Sequence, residues 1–218
     1  MPKQILVIGL GQFGMSLARS LADLHLDVMA VDIDAERVRK AAEFVADAAR
    51  LDATDEAALS KLAPERRDVC VCAIGEEAPE AAFICTALLR KMGARRVLAR
   101  AGDDLYERIL GLVGAHQVFN PERAYGRRLA LQLVYEGVME EFPLGDNMVI
   151  TEVKVPPALV GRSLRELALP VRHGVNVMAI QRGSKIEVPT AATVVGENDV
   201  LVTVSRPGDV AQMLKKLS

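Results

Sequence analysis

The run Gly9-Leu10-Gly11-Gln12-Phe13-Gly14 constrains the fold more than any other segment. It follows a short apolar run at 5–8 and opens a stretch of helical periodicity. That context makes a G-x-G-x-x-G run informative. Gly9 permits the tight turn, Gly11 lets backbone approach a pyrophosphate, and Gly14 lets helix and strand pack closely. The helix N-terminus then offers unpaired N–H groups and a positive dipole end to phosphate. The next apolar run, 28–32, ends in Asp32, about 23 residues beyond Gly9 and close to the ~20 of the dinucleotide fingerprint. A carboxylate there accepts hydrogen bonds from ribose hydroxyls and repels a 2′-phosphate, which disfavours NADP. Asp34 and Arg37 follow within reach of the same ribose or of a phosphate.

The rest of the first 120 residues keeps this rhythm. Strands are predicted at 4–8, 28–32, 46–51, 69–73, 96–101 and 117–119, several of them continuously apolar, as in strands buried on both faces. Helices are predicted at 13–24, 35–44, 55–62, 79–92 and 103–113, with Asp55 and Asp103 as N-caps, Pro79 in a first turn, and Gly93 and Gly114 as stops. Alternating strands and helices predict an α/β fold with a doubly wound parallel sheet of Rossmann type. Only 4% of residues are aromatic and Trp is absent, so Ala, Leu, Val and Ile must fill the core.

A long helix is predicted at 122–141. Its apolar residues, among them Tyr125, Leu129, Leu131, Leu133, Val134, Val138 and Met139, occupy more than one stripe, which asks for either two partners or a core position. Residues 142–147, rich in Pro, Gly and turn formers, read as a linker. Strands at 149–155, 175–181, 185–188 and 200–204 and short helices at 163–167 and 207–217 then form a smaller α+β domain. The predicted division is a nucleotide-binding domain of residues 1–141 and a second domain of residues 142–218. The second is too small to hold a typical dehydrogenase substrate site of its own.

The remaining features exclude more than they assign. A net charge of −2 argues against nucleic acid as a partner. Three cysteines, Cys70, Cys72 and Cys85, suit a reducing compartment, and the Cys70/Cys72 pair reads as small buried hydrophobes rather than metal ligands. No leader pattern and no apolar run of about 20 residues is visible, so a cytoplasmic chain is expected. His25, His116 and His173 stand in no recognisable catalytic arrangement, and there is no G-x-S-x-G, H-E-x-x-H or P-loop run. A nucleotide site without evident chemistry favours sensing over catalysis. An NAD-dependent oxidoreductase is the alternative, and a nucleotide-binding repressor a third reading.

Taken together, the sequence resembles the RCK family (regulators of potassium conductance), the regulatory subunits of Trk and Ktr potassium uptake. VIGLGQFG at 7–14, AVDID at 30–34, CAIG at 72–75 and GAHQVFNPE at 114–122 carry the resemblance, and Asp52-Ala53-Thr54 looks like the family's adenine-side loop. The resemblance implies a non-enzymatic cytosolic subunit that binds ATP, ADP or NAD(H) and gates a membrane potassium channel or transporter. It implies dimers through the long helix, an octameric ring, and attachment to the inner face of the membrane through the partner. By carry-over, Gly9, Gly11, Gln12, Phe13, Gly14, Asp32, Asp34, Asp52, Ala53, Thr54, Ala73, Ile74, Gly75 and Arg100 would line the nucleotide. Glu122 matches a position where some members hold a divalent cation between subunits. The second domain resembles a module that in some members binds a cyclic dinucleotide. Gln12 stands where ATP-gated members carry Arg, and a neutral amide cannot offset a terminal phosphate.

Overall fold

A computed structural model describes residues 2–135 and 137–217, the side chain of Leu131 apart. The chain divides into two compact units, residues 1–122 and 123–218.

In the first unit, β1 (Gln4–Ile8), β2 (Asp27–Asp32), β3 (Asp47–Arg50), β4 (Val69–Cys72), β5 (Val97–Arg100) and β6 (Gln117–Phe119) form one parallel sheet in the order β3-β2-β1-β4-β5-β6. The helices are α1 (Gln12–Asp23), α2 (Ala35–Ala41), α3 (Glu56–Ser60), α4 (Pro79–Lys91) and α5 (Asp104–Leu112). Alternation along β1 decides which helices lie on which face. Ile5 and Val7 share a core with Ala18 of α1 and Ala41 of α2, whereas Leu6 and Ile8 share one with Leu59 of α3, Leu89 of α4 and Leu110 of α5. Strand order reverses between β1 and β4, the place where open α/β sheets leave a crevice beyond their carboxyl ends.

The sixth helix, α6 (Pro121–Val134), is shorter than the predicted 122–141. Glu136, within that prediction, lies outside the described residues, as does the side chain of Leu131. The helix stops because Gly137 takes φ +102° and the chain then pairs as β7 (Val138–Leu144) with β8 (Met148–Lys154), Phe142 opposite Ile150. The expected linker at 142–147 is therefore the end of a strand plus a hairpin turn. Pro143 is tolerated there because β7 is a sheet edge. Along α6, Tyr125, Leu133 and Val134 are 62%, 77% and 68% exposed, a helix with apolar side chains left uncovered in a single chain.

The second unit is an antiparallel sheet in the order β10-β9-β11-β8-β7, with β9 (Asn176–Arg182), β10 (Lys185–Glu187) and β11 (Val200–Ser205). Its core gathers Val153, Ile180 and Leu201 with Val210, Met213 and Leu214 of the last helix, α9 (Asp209–Leu217). Two short helices precede β9: α7 (Leu164–Leu167), held by a Ser163/Glu166 capping box, and α8 (Leu169–His173). Pro170 sits in the first turn of α8 and His173 ends it. Among the described residues no helix is long and apolar enough to cross a membrane.

Candidate functional site

The glycine loop takes the shape its residues dictate. Gly9 has φ +90°, and a Cβ there would lie 2.8 Å from the backbone nitrogen of Ile74. At Gly14 a Cβ would lie 1.8 Å from the carbonyl oxygen of Gly9, so only glycine lets α1 sit this close to the loop. Gly11 differs: a Cβ there would meet nothing within 4 Å, and the residue lines an open cleft. Gly11 also serves as the N-cap of α1 without a side chain to satisfy the first N–H groups, which leaves them for a ligand.

The cleft measures about 940 Å³. It runs along the carboxyl ends of the parallel strands and brings together nearly all of the residues expected from sequence. Gly9, Gly11, Gln12, Phe13, Asp32, Asp34, Arg37, Asp52, Ala53, Thr54, Ala73, Ile74, Gly75, Arg100 and Glu122 line it. Gly14 does not; its place is beneath the loop, against Gly9 and Ala73. Glu76, Glu77, Ala78 and Ala81 also line the cleft and were not anticipated. No spacing rule points to acids following Gly75; the position of the β4–α4 connection over the cleft reveals them.

Asp32 is buried and fastens the loop. Its Oδ2 accepts from the Leu10 N–H at 2.5 Å and its Oδ1 from the Asp34 N–H at 2.8 Å, so β2 grips the segment between Gly9 and Gly11. Arg37 reaches toward both acids, 3.8 Å from Asp32 and 3.7 Å from Asp34. Asp34 caps α2 by accepting from the N–H groups of Glu36 and Arg37 at 2.8 and 3.4 Å. Asp52 forms a turn by accepting from the N–H and hydroxyl of Thr54 at 2.9 and 2.7 Å.

Those donors hold the carboxyls of Asp34 and Asp52 below the ordinary aspartate range, with the Glu36 N–H the largest cause at Asp34 and the Thr54 N–H at Asp52. Both groups thus bind protons more weakly folded than unfolded. Their stabilisation is full above the ordinary value of about 3.9 and is lost as pH falls through the lowered folded values. The urea midpoint is expected to hold from about pH 7 to about pH 5 and to drop below about pH 4. The drop should be smaller in an Asp34→Ala/Asp52→Ala variant.

At the other end of the cleft, Arg100 bonds Glu122 at 2.5 Å, and its Cζ stands 5.9 Å from the Phe13 ring centroid. Phe13 in turn packs on Phe119 with ring centroids 5.2 Å apart. Arg100 Nε is buried with no hydrogen-bond partner among the described residues. The three cysteines are buried and free; burial pushes the Cys70 thiol up to about 12, which keeps it neutral and a poor ligand. Among the described residues no group of three or more His, Cys, Asp or Glu is gathered for a metal. A loop of open N–H groups, a carboxylate at the end of β2 and a cleft over the switch point can together hold a diphosphate and a ribose.

The TrkA-N domain model matches residues 5–121 and the TrkA-C domain model residues 148–218. The Ktr system potassium uptake protein C of Bacillus subtilis is 31% identical over 218 residues, covering 100% of this chain and 98% of that protein. The Ktr system potassium uptake protein A of Vibrio alginolyticus is 34% identical over 216 residues, covering 99% and 98%. Among solved structures, the GsuK channel bound to NAD superposes with a TM-score of 0.70 at 18% identity over 100% of this chain, which spans 40% of that one. That likeness fixes the fold, and the sequence relatives fix the kinship: the chain belongs to the RCK family of Ktr and Trk potassium uptake proteins, in which a TrkA-N domain is followed by a TrkA-C domain.

Proposed function

We propose that this protein is a cytosolic regulatory subunit that senses an adenine nucleotide, ATP, ADP or NAD(H), and gates a membrane potassium channel or transporter. The observation that carries the reading is the cleft itself: the Cβ of Gly11 would enter open space, the N–H groups of α1 are uncapped, and Asp32 stands at the end of β2. In this reading the first turn of α1 takes the diphosphate and Asp32 accepts from ribose hydroxyls. Asp34, Arg37 and the Asp52-Ala53-Thr54 turn border the adenosine, while Ala73, Ile74, Gly75 and Arg100 border the group beyond the diphosphate. The names of the Ktr relatives supply the potassium transporter. We read the chain as a regulator rather than an enzyme, because among the described residues no histidine lines the cleft, and Asp32, Asp34, Asp52 and Glu122 are engaged in the loop anchor, a cap, a turn and an ion pair.

The uncovered apolar side chains of α6 support self-association through that helix, and an octameric ring under the inner face of the membrane is the assembly proposed. A divalent cation at Glu122 would need carboxylates from a second copy and a share of the bond Arg100 now makes. Gating follows from any difference in affinity between two ring shapes. Moving a two-state system from mostly closed to mostly open takes on the order of 5 kcal/mol, which many sites can sum.

The test combines titration calorimetry of the purified protein with potassium flux. Vesicles carry a Ktr or Trk membrane subunit, and this chain and each nucleotide are added in turn. Micromolar binding of an adenine nucleotide, exclusion of NADP and a nucleotide-dependent change in flux are expected. Binding without any change in flux would leave a nucleotide-binding protein that is not this regulator.

A further inference from the structure

The cleft is strongly unbalanced in charge. Six carboxylates line it against two guanidiniums, Arg37 and Arg100, and both cations already face acids. The imbalance is not uniform. Sheet order puts Asp32 and Asp52 on the β2–β3 side of the glycine loop. On the β4–β5–β6 side stand Glu76 and Glu77 after β4, Arg100 at the end of β5 and Glu122 after β6. Whatever lies beyond the diphosphate of a bound nucleotide meets this second group. Arg100 is bonded to Glu122 there, and the loop residue nearest the helix start, Gln12, is uncharged. The Glu76 side chain lies over Gly102, where a Cβ would come within 2.1 Å of its Oε1, so the absence of a side chain at 102 gives the carboxylate room.

Resting on the nucleotide reading above, we infer that Glu76 and Glu77 set the ligand class. They favour a dinucleotide, whose second half ends in a neutral or cationic nicotinamide riboside, and disfavour a nucleoside triphosphate with a free terminal phosphate. A γ-phosphate on this side adds negative charge beside three carboxylates, with one guanidinium already engaged. A nicotinamide ring adds none, and in its oxidised form brings a positive charge. Both glutamates are exposed, so water and salt weaken the effect, and it is expected to grow as ionic strength falls.

The experiment is calorimetry at low salt with EDTA, titrating NAD, ADP and ATP into the wild type and into a Glu76→Gln/Glu77→Gln variant of unchanged melting temperature. The wild type is expected to bind NAD tightest and ATP weakest, with roughly tenfold or more between them. The variant should close that gap to about threefold by binding ATP better. Added magnesium should recover part of the ATP affinity in the wild type. ATP binding as tightly as NAD in EDTA would overturn the inference, as would a gap unchanged in the variant. If none of the three binds, the nucleotide reading itself fails.

Discussion

Gly14→Ala is expected to lower the stability of the first unit by about 3 kcal/mol, the upper part of the usual range for overpacking. The new methyl would lie 1.8 Å from the Gly9 carbonyl oxygen, and the obstructing atom is backbone rather than a side chain that could swing away. Relief requires α1 to move off the loop, and the loop is pinned by the Leu10 N–H to Asp32 at 2.5 Å and by the Gly9 N–H to the Val31 carbonyl at 2.8 Å. The N–H groups at the start of α1 move with the helix. One lost charge-assisted hydrogen bond, worth ~1.5–3 kcal/mol, weakens nucleotide binding roughly tenfold to a hundredfold. Gly11→Ala separates the two effects. Its φ of −63° suits any residue and its Cβ meets nothing, so stability should stay within about 1 kcal/mol of the wild type. Binding should still fall, because the methyl enters the side of the cleft where a diphosphate approaches. Urea unfolding and calorimetry on the two variants check both halves. A Gly11→Ala protein that binds as the wild type does would place the ligand elsewhere.

Asp32→Ala is expected to have the second large effect, about 2–4 kcal/mol, since two backbone donors lose their acceptor, the buried Leu10 N–H at a cost of ~1–3 kcal/mol and the part-buried Asp34 N–H at less. Asp32→Asn is milder but still imperfect: one amide oxygen can accept one of the two N–H groups, and the amide NH₂ faces the other. In the asparagine variant the charge that repels a 2′-phosphate is gone, so the ratio of NAD to NADP affinity should fall while the fold persists. An unchanged ratio would mean that Asp32 holds the loop and does not read the ribose.

The β1–α1–β2 segment was legible because its chemistry is local. A glycine run, a helix start and an acid at the end of the next strand each have one dominant explanation at that spacing. The end of α6 was not, because Leu133, Val134, Val138 and Met139 continue the apolar content of the helix without a break in composition. Gly137 ends it, and pairing with β8, a tertiary contact, decides what Val138–Leu144 becomes. Arg100 has no spacing signal of its own; resemblance to a family pointed to it, and the strand order brings it to the cleft. Glu76 and Glu77 were invisible for the same reason in reverse. Acids after a strand are usually solvated, and only the fold shows that these two border a cleft that also holds a glycine loop.

The most direct test of the account is a crystal structure of this protein grown with NAD. The diphosphate is expected at the N–H groups of the first turn of α1, over Gly11, with the adenosine ribose hydroxyls within hydrogen-bonding distance of Asp32. A dinucleotide bound anywhere else in the chain, or bound with its ribose away from Asp32, would contradict it.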